Sequence, residues 1–189
     1  GTGFNASGSI HAVRASVFRP CPYDTFTDMV DPLHTAMQGF RTTFEEAAVA
    51  RETARSRLAD EFKARLRIAL GSWRFVTYAV PRLPWVRSPM YCFQMISHKM
   101  LRWLLGPSLP VILGLNIVLL GRHPVYRWLL LGQAVCYGVT LMGLLPGRLV
   151  ASLPGVSALV FFNATNLAYL VSLLRYLRGE RASRWRPSR

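Results

Sequence analysis

Long runs of apolar residues dominate the C-terminal half of the chain. Residues 103–121, 128–147 and 149–174 form three such runs, and none of them contains a charged side chain. A helix rises 1.5 Å per residue, so the shortest run would span about 28 Å, close to the thickness of the hydrocarbon core of a bilayer. The pattern predicts three transmembrane helices at these positions.

The first 51 residues instead mix polar and apolar positions, as a water-soluble region does. Met29, Leu33 and Met37 recur every four residues, which predicts a short helix that Gly39 would end. Proline is tolerated in the first turn of a helix, so Pro32 predicts that the helix begins at or near residue 28. Residues 9–13 and 40–50 are predicted strands, the second half-buried.

Residues 52–100 carry a different pattern, in which apolar and basic side chains occupy separate faces. Thr53 is a predicted N-cap of a helix that runs to Leu70, and Gly71 is predicted to end it. Aromatic and basic side chains alternate over residues 72–99, with three prolines between them. Rings beside cations suit the headgroup layer, so this part is predicted to form short helices on the membrane surface.

Charge is distributed unevenly along the chain, which has a net charge of +14. Every acidic residue except Glu180 lies within residues 24–61, and the remainder is basic and apolar. This combination favours anionic lipid over nucleic acid as the partner. Cys21, Cys92 and Cys136 have no pairing pattern and are predicted to be free thiols.

The basic residues also raise a question of topology. The basic stretch before residue 103 is expected on the cytoplasmic side, and three spans would then place the Arg-rich tail, residues 178–189, on the opposite side. Either the tail is an exception to the positive-inside rule, or the third run is re-entrant or bent. Pro154, Asn163 and Asn166 lie within that run, and Asn163 is predicted to hydrogen-bond between helices.

Four segments follow one another in an order that resembles that of a known family. Residues 5–14 combine small residues with an apolar stretch that ends in arginine, and residues 25–33 contain a Thr-Asp pair. Residues 61–71 form a basic amphipathic stretch, and residues 97–103 lead into the first apolar run. In this order the segments resemble the C-terminal part of membrane-bound family 2 glycosyltransferases, the group that includes hyaluronan, chitin and cellulose synthases.

The resemblance implies a fold class and a division of the chain. Residues 1–51 would be the C-terminal fragment of an α/β GT-A catalytic domain, whose N-terminal part lies upstream of Gly1. Residues 52–100 would form amphipathic and interfacial helices, residues 101–177 the transmembrane region, and residues 178–189 a basic tail. The expected fold is therefore a mainly α-helical membrane protein preceded by a piece of an α/β domain.

The same resemblance implies residues for the chemistry of polysaccharide biosynthesis. Asp28 matches the family's base, which removes the proton of the acceptor hydroxyl in an inverting transfer. Capping of the predicted helix is the alternative role of Asp28. Thr27, Ser7, Gly8 and Arg67 are expected to contact the acceptor or the diphosphate, and the alternative for Arg67 is a basic face on anionic lipid.

Partners and cofactors follow from the resemblance in the same way. The full-length enzyme would use a nucleotide sugar, a glycan acceptor and Mg or Mn, and it would lie in the bacterial inner membrane with its catalytic part in the cytoplasm. The chain itself has no Asp-x-Asp and no histidine spacing typical of a metal site, so no metal is expected to bind it and it is expected to be inactive alone. Asp24 and Asp31 are predicted to be solvated carboxylates. The alternative function is a small non-catalytic membrane anchor or partner-docking protein.

Overall fold

A computed structural model describes residues 2–3, 6–21, 25–51, 58–145 and 153–180. The described chain is mainly helical, with a short antiparallel pair of strands, Thr2–Gly3 (β1) and Thr42–Thr43 (β2). It divides into two compact units, residues 1–103 with 172–189 and residues 104–171. The helices are Thr27–Met37 (α1), Leu58–Ala79 (α2), Pro89–Met95 (α3), Leu101–Val118 (α4), Pro124–Leu144 (α5) and Val156–Leu177 (α6).

The short helix predicted near residue 28 is confirmed as α1. It begins at Thr27, directly before Asp28, and Gly39 follows its end with a φ of 82°, a left-handed conformation that suits glycine. Pro32 lies in the second turn and not in the first turn, where the prediction placed it. The buried face of α1 contains Val30 and Leu33, which are fully shielded from solvent.

The second predicted helix is longer than expected and does not end at Gly71. It continues as α2 to Ala79, because Gly71 serves a packing role: a Cβ at this position would overlap the ring of Phe26. Glycine here allows the residue before α1 to lie directly on the backbone of α2. Thr53, the predicted N-cap, falls outside the described residues.

The two predicted strands are wrong in extent. Residues 9–13 form no strand, and within residues 40–50 only Thr42–Thr43 is paired, with β1. The apolar side chains of the second segment are exposed, and Phe44 retains 82% of its accessible surface. Alternating apolar positions form a stable strand only where a sheet buries one face, and these two strands of two residues each provide none.

Residues 72–99 do not form the predicted series of short helices, and their position at a membrane surface stays a prediction. Trp73 and Phe75 belong to α2 and are buried, and Tyr91 is buried in α3. A π-helical turn, Ile96–Met100, joins α3 to α4, so that Pro89–Val118 is one helix of 30 residues. These buried side chains pack within the protein, as shown by the edge-to-face contact of Phe75 with Trp103, whose ring centroids are 6.4 Å apart, whereas Trp85 and Phe93 are exposed.

Two helices in the described part of the chain are long and apolar enough to cross a membrane. They are Pro89–Val118 and Val156–Leu177, as judged by length and composition. Helix α5 has a sufficient length of 21 residues, but Arg127 and Gln133 lower its hydropathy and it is not among them. Within the third predicted run, α6 begins after Gly155, and residues 149–152 lie outside the described residues.

Polar side chains link the apolar helices within the second unit. The side-chain amides of Asn116 on α4 and Gln133 on α5 are 3.0 Å apart. Asn163 on α6 donates to Thr140 Oγ1 on α5 over 2.7 Å, which confirms the predicted bond between helices. Such bonds satisfy polar groups that would otherwise be left in apolar surroundings.

In the first unit, α2 contacts the beginning of α4 and the end of α6. Trp73 Nε1 donates to Ser172 Oγ over 2.9 Å, and Trp103 packs on Phe75, two residues further along α2. One turn beyond Trp73, Tyr176 OH donates to Thr77 Oγ1 over 3.1 Å. The beginning of α4 and the end of α6 therefore contact the same turns of α2.

Candidate functional site

Backbone chemistry places Asp28 against the segment that precedes it in sequence. Pro32 has no N–H to donate to the carbonyl oxygen of Asp28, and that oxygen accepts a hydrogen bond from the N–H of Ala6 over 3.0 Å. The bond holds residues 6–8 at the start of α1. As a result, a Cβ at Gly8 would lie 3.6 Å from Asp28 Oδ2, so the carboxyl lies close to the backbone of Gly8.

The surroundings of Asp28 favour its protonated form. Burial raises the pKa of the Asp28 carboxyl above its ordinary value, and the charge of Asp31 acts in the same direction. The ammonium of Lys99, the Asp28 backbone N–H and the charge of His11 act against this and lower the pKa. Since burial is the largest cause, Asp28 is a stronger proton acceptor when ionised than a carboxylate in water.

The capping alternative for Asp28 is met in part. The N-cap position of α1 is occupied by Phe26, whose side chain makes no capping hydrogen bond. Asp28 lies in the first turn, where a negative charge is favoured by the helix dipole, and its carboxylate accepts from its own N–H. Stabilisation of the helix start and proton transfer are compatible roles for one carboxylate.

Asp31 is not the solvated carboxylate that the sequence predicted. It is buried, with 5% of its surface exposed, because it lies one turn after Asp28 on the inner side of α1, next to Val30. Its Oδ2 atom is 3.1 Å from His11 Nε2, while His11 Nδ1 is 3.1 Å from the carbonyl oxygen of Ser7. A buried carboxylate requires such a partner, and the pairing explains why this one is tolerated.

The geometry fixes one hydrogen of the His11 ring. The carbonyl oxygen of Ser7 can only accept, so His11 Nδ1 donates to it and Nε2 faces Asp31 Oδ2.

The structure brings together four of the five predicted site residues. Ser7 and Gly8 lie beside Asp28 for the reason given above, and Thr27 precedes Asp28 in the first turn of α1 with an exposed side chain. The Ser7 side chain also accepts from the N–H of Ser9 over 3.3 Å, which defines the turn at this point. The contacts of these residues with a substrate stay a prediction.

Arg67, the fifth residue, lies on α2. It is half-buried, one turn before Gly71 on the same face of the helix, about 6 Å along the axis from the point where Phe26 packs. Arg65, two residues earlier, is paired with Glu61 over 2.7 Å. Whether Arg67 contacts a diphosphate or lipid stays a prediction.

The described part of the chain provides no set of side chains that could ligate a metal ion. No group of three His, Cys, Asp or Glu side chains converges there. The Mg or Mn that the resemblance implies therefore does not fit these residues. Whether the whole chain binds a metal stays a prediction, and none of the chemistry below uses one.

Two residues beside the site received no role from the sequence. Lys99 lies in the π-helical turn, 71 positions from Asp28, and no local pattern connects them. An inserted turn of this kind often marks a functional position in a helix, but it cannot be seen in a single sequence. His11 lies within the first segment of the family resemblance, and only the fold shows that it pairs with Asp31.

Comparison with known proteins adds no identification: no protein family, curated protein or solved structure matches the chain.

Proposed function

We propose that the chain is the acceptor side and membrane part of an inverting glycosyltransferase, with Asp28 as the base. The observation that carries the proposal is the position of Asp28, half-buried at the start of α1 and next to Gly8, where burial raises the pKa of the carboxyl. A base with a raised pKa accepts a hydroxyl proton more readily than an ordinary aspartate. The motif order that resembles family 2 glycosyltransferases supplies the reaction class.

In the proposed reaction the acceptor hydroxyl oxygen attacks the anomeric carbon of a nucleotide-diphosphate sugar. The new carbon–oxygen bond forms as the bond to the diphosphate breaks, and the diphosphate leaves with that electron pair. Asp28 takes the hydroxyl proton. Lys99 contributes positive charge beside Asp28, and Arg67 is the candidate for contact with the departing diphosphate.

The donor half of the site would lie outside this chain. Residues 1–51 would then complete a GT-A domain, with the short β1–β2 pair at its end. The chain alone is expected to be inactive, since it has no Asp-x-Asp to hold a metal with the nucleotide sugar. Product sugar, acceptor and polymer length would be set by that missing part.

The membrane part of the proposal uses two crossings, formed by Pro89–Val118 and Val156–Leu177. Trp103, at the start of α4 within the first helix, and Ser172, near the end of the second, both contact α2, which favours an even number of crossings. The basic tail then lies on the same side as the soluble part, as the positive-inside rule requires. In a bacterial inner membrane that side would be the cytoplasm, and α5 would not cross.

The decisive experiment uses the complete reading frame that contains this chain. Asp28→Asn is expected to lower sugar transfer by at least about a hundredfold, the usual contribution of general base catalysis. Asp60→Asn, at an exposed aspartate in the first turn of α2, is the matched control and should transfer normally. Near-normal transfer by Asp28→Asn would reject the assignment and leave the non-catalytic membrane anchor as the better description.

A further inference from the structure

The π-helical turn Ile96–Met100 determines which side chains of its helix face the protein interior. Met95 is buried before the turn and Met100 is buried after it, a step of five residues, whereas an α-helix repeats every three or four. An α-helical turn would place Lys99, four residues after Met95, in this buried row. The extra residue leaves Met100 in the row and Lys99 beside it, half-buried.

A hydrogen bond fixes the end of α1 against the beginning of the same helix. Ser88 Oγ donates to the carbonyl oxygen of Ala36, in the last turn of α1, over 3.2 Å. From this bond Asp28 lies eight residues back along α1, and Lys99 lies eleven residues forward. At 1.5 Å per residue these are similar distances, about 12 and 16 Å, so antiparallel helices bring the first turn of α1 level with the π-helical turn. The charge of Lys99 acts on Asp28 at this level.

We infer that Lys99 is a positioning residue for Asp28, whose ammonium stabilises the carboxylate form of this half-buried side chain. Of the groups that act on Asp28, the ammonium of Lys99 is the strongest that lowers its pKa, and burial, which raises the pKa, is stronger still. The charge of His11 assists Lys99, and the charge of Asp31 opposes it. Arg102, three residues further along the helix, is the other charged group that acts on Lys99.

The use of lysine at this position supports a role for its charge. The chain contains 23 Lys and Arg residues, and only Lys63 and Lys99 are lysines. A guanidinium is a planar fork that suits two parallel hydrogen bonds, whereas an ammonium is a compact point charge on a flexible stem. The second suits a half-buried place beside a single carboxyl. Lys63 is exposed on α2 and provides a matched control.

Within the glycosyltransferase proposal, on which this part rests, Lys99 keeps the base available. A carboxyl that is protonated cannot take the hydroxyl proton, so burial makes Asp28 a stronger base only while enough of it stays ionised. Lys99 belongs to Pro89–Val118, the first proposed crossing. The base would therefore receive its charge partner from the membrane part of the protein.

The effect of Lys99 on Asp28 can be measured on the 189-residue chain in phosphatidylcholine nanodiscs. The four aspartate carboxyls are labelled with carbon-13 and titrated by magic-angle-spinning NMR, and the Asp28 signal is the one that Asp28→Asn lacks. In Lys99→Met the Asp28 carboxyl is expected to titrate at a higher pH than in the parent, because a neighbouring cation is lost. Lys63→Met should leave this titration unaltered.

Lys99→Arg separates the charge from the shape of the side chain. It keeps the positive charge, so its Asp28 carboxyl should titrate closer to that of the parent than to that of Lys99→Met. Equal titration of Asp28 in the parent and in Lys99→Met, or in Lys99→Arg and Lys99→Met, would overturn the inference.

Sugar transfer by the complete reading frame gives a second readout. Lys99→Met should lower kcat at least about threefold at neutral pH and change KM less than about twofold, since the ionisation of the base is altered and substrate binding is not. The acidic limb of its pH profile should move to higher pH, and kcat should approach that of the parent beyond this limb. An equal loss of kcat at every pH would mean a merely structural lysine and would contradict the assignment.

The two proposals fail separately. A shifted Asp28 titration in Lys99→Met with normal transfer by Asp28→Asn would reject the glycosyltransferase and keep the effect of Lys99 on Asp28. Lost transfer by Asp28→Asn with an unshifted titration in Lys99→Met would reject the role of Lys99 and keep the base.

Discussion

The N–H of Ala6 donates to the carbonyl oxygen of Asp28 over 3.0 Å, and Asp28 is the residue whose helical donor would have been Pro32. A proline inside a helix normally leaves a carbonyl without its partner. Here the N–H of Ala6, from an earlier part of the chain, takes the place of the missing helical donor. The proline therefore helps to position residues 6–8 beside the candidate base.

Pro32→Ala tests this relationship. Alanine restores the helical N–H, which competes with Ala6 for the same carbonyl oxygen. The Ala6 amide is expected to exchange with solvent about fivefold faster, as for a loss of about 1 kcal/mol, in hydrogen-exchange NMR or mass spectrometry. Pro110→Ala in α4 is the control and should leave that amide unchanged. Unaltered exchange in Pro32→Ala would show that the proline does not determine this contact.

Asp28 should also affect how the free energy of unfolding depends on pH. Burial raises the pKa of this carboxyl in the folded state above its value in the unfolded chain, so the folded protein binds the proton more tightly than the unfolded chain. Between the pKa in the unfolded chain and the higher pKa in the folded protein, the free energy of unfolding falls as the pH rises. This loss of stability remains at neutral pH. Asp28→Asn is therefore expected to unfold at a higher temperature than the parent at pH 7.

The difference between the two proteins should shrink as the pH approaches 4, because the parent carboxyl becomes protonated there. Thermal unfolding followed by circular dichroism between pH 4 and 7 measures it. A variant that is less stable than the parent at pH 7 would mean that the charge of Lys99 outweighs burial.

Gly71 and Phe26 should be coupled energetically. Alanine in place of a helical glycine usually stabilises by about 1 kcal/mol, but here its methyl group meets the Phe26 ring. We expect Gly71→Ala to be more favourable in a Phe26→Ala background than in the unaltered chain, by about 1 kcal/mol or more. Chemical unfolding of the four proteins of the double-mutant cycle gives this difference. Strict additivity would contradict the contact.

Gly106 in α4 lies against the backbone of α6, where a side chain has no room. A Cβ there would overlap the carbonyl oxygen of Asn166, and backbone cannot rotate away as a ring can. Gly106→Ala should destabilise the second unit by about 1–3 kcal/mol. Gly114→Ala on the same helix meets nothing within 4 Å and should be neutral or slightly stabilising. Unfolding in mixed micelles compares the two, and equal stabilities would argue against the close approach.

The side of the tail can be tested with single cysteines in a chain whose native cysteines are replaced by serine. Reporters at Glu45 and Glu180 should give the same labelled fraction with an impermeant maleimide in sealed vesicles, whatever the orientation of insertion. A reporter at Arg122, after α4, should give the complementary fraction. Different fractions at residues 45 and 180 would exclude the arrangement with two crossings.

Local patterns were sufficient for α1 and for the position of Asp28. A four-residue apolar repeat, a proline and a following glycine define that helix within the sequence itself, and the structure moved its start by only one residue. The long apolar runs likewise predicted the helices α4, α5 and α6. The runs did not show that Arg127 and Gln133 lower the hydropathy of α5, so that α4 and α6, but not α5, belong to helices apolar enough to cross a membrane.

Contacts between distant residues could not be predicted. Gly71 was interpreted as a helix end because its partner, Phe26, lies 45 positions away. Trp73 and Phe75 were assigned to the headgroup layer because aromatic side chains suit both that layer and a protein core. Asp31 and His11 are polar residues whose burial depends on each other, and neither shows this in isolation.

The bond between Trp73 and Ser172 joins residues that are 99 positions apart, and it has a consequence for biogenesis. During synthesis, α2 leaves the ribosome long before the end of α6. Its Trp73 and Thr77 can therefore bond to Ser172 and Tyr176 only after α6 has been synthesised. The first unit reaches its final form only after the end of α6 has been synthesised. A nascent or truncated chain that stops before residue 172 would expose this face of α2 to chaperones and proteases.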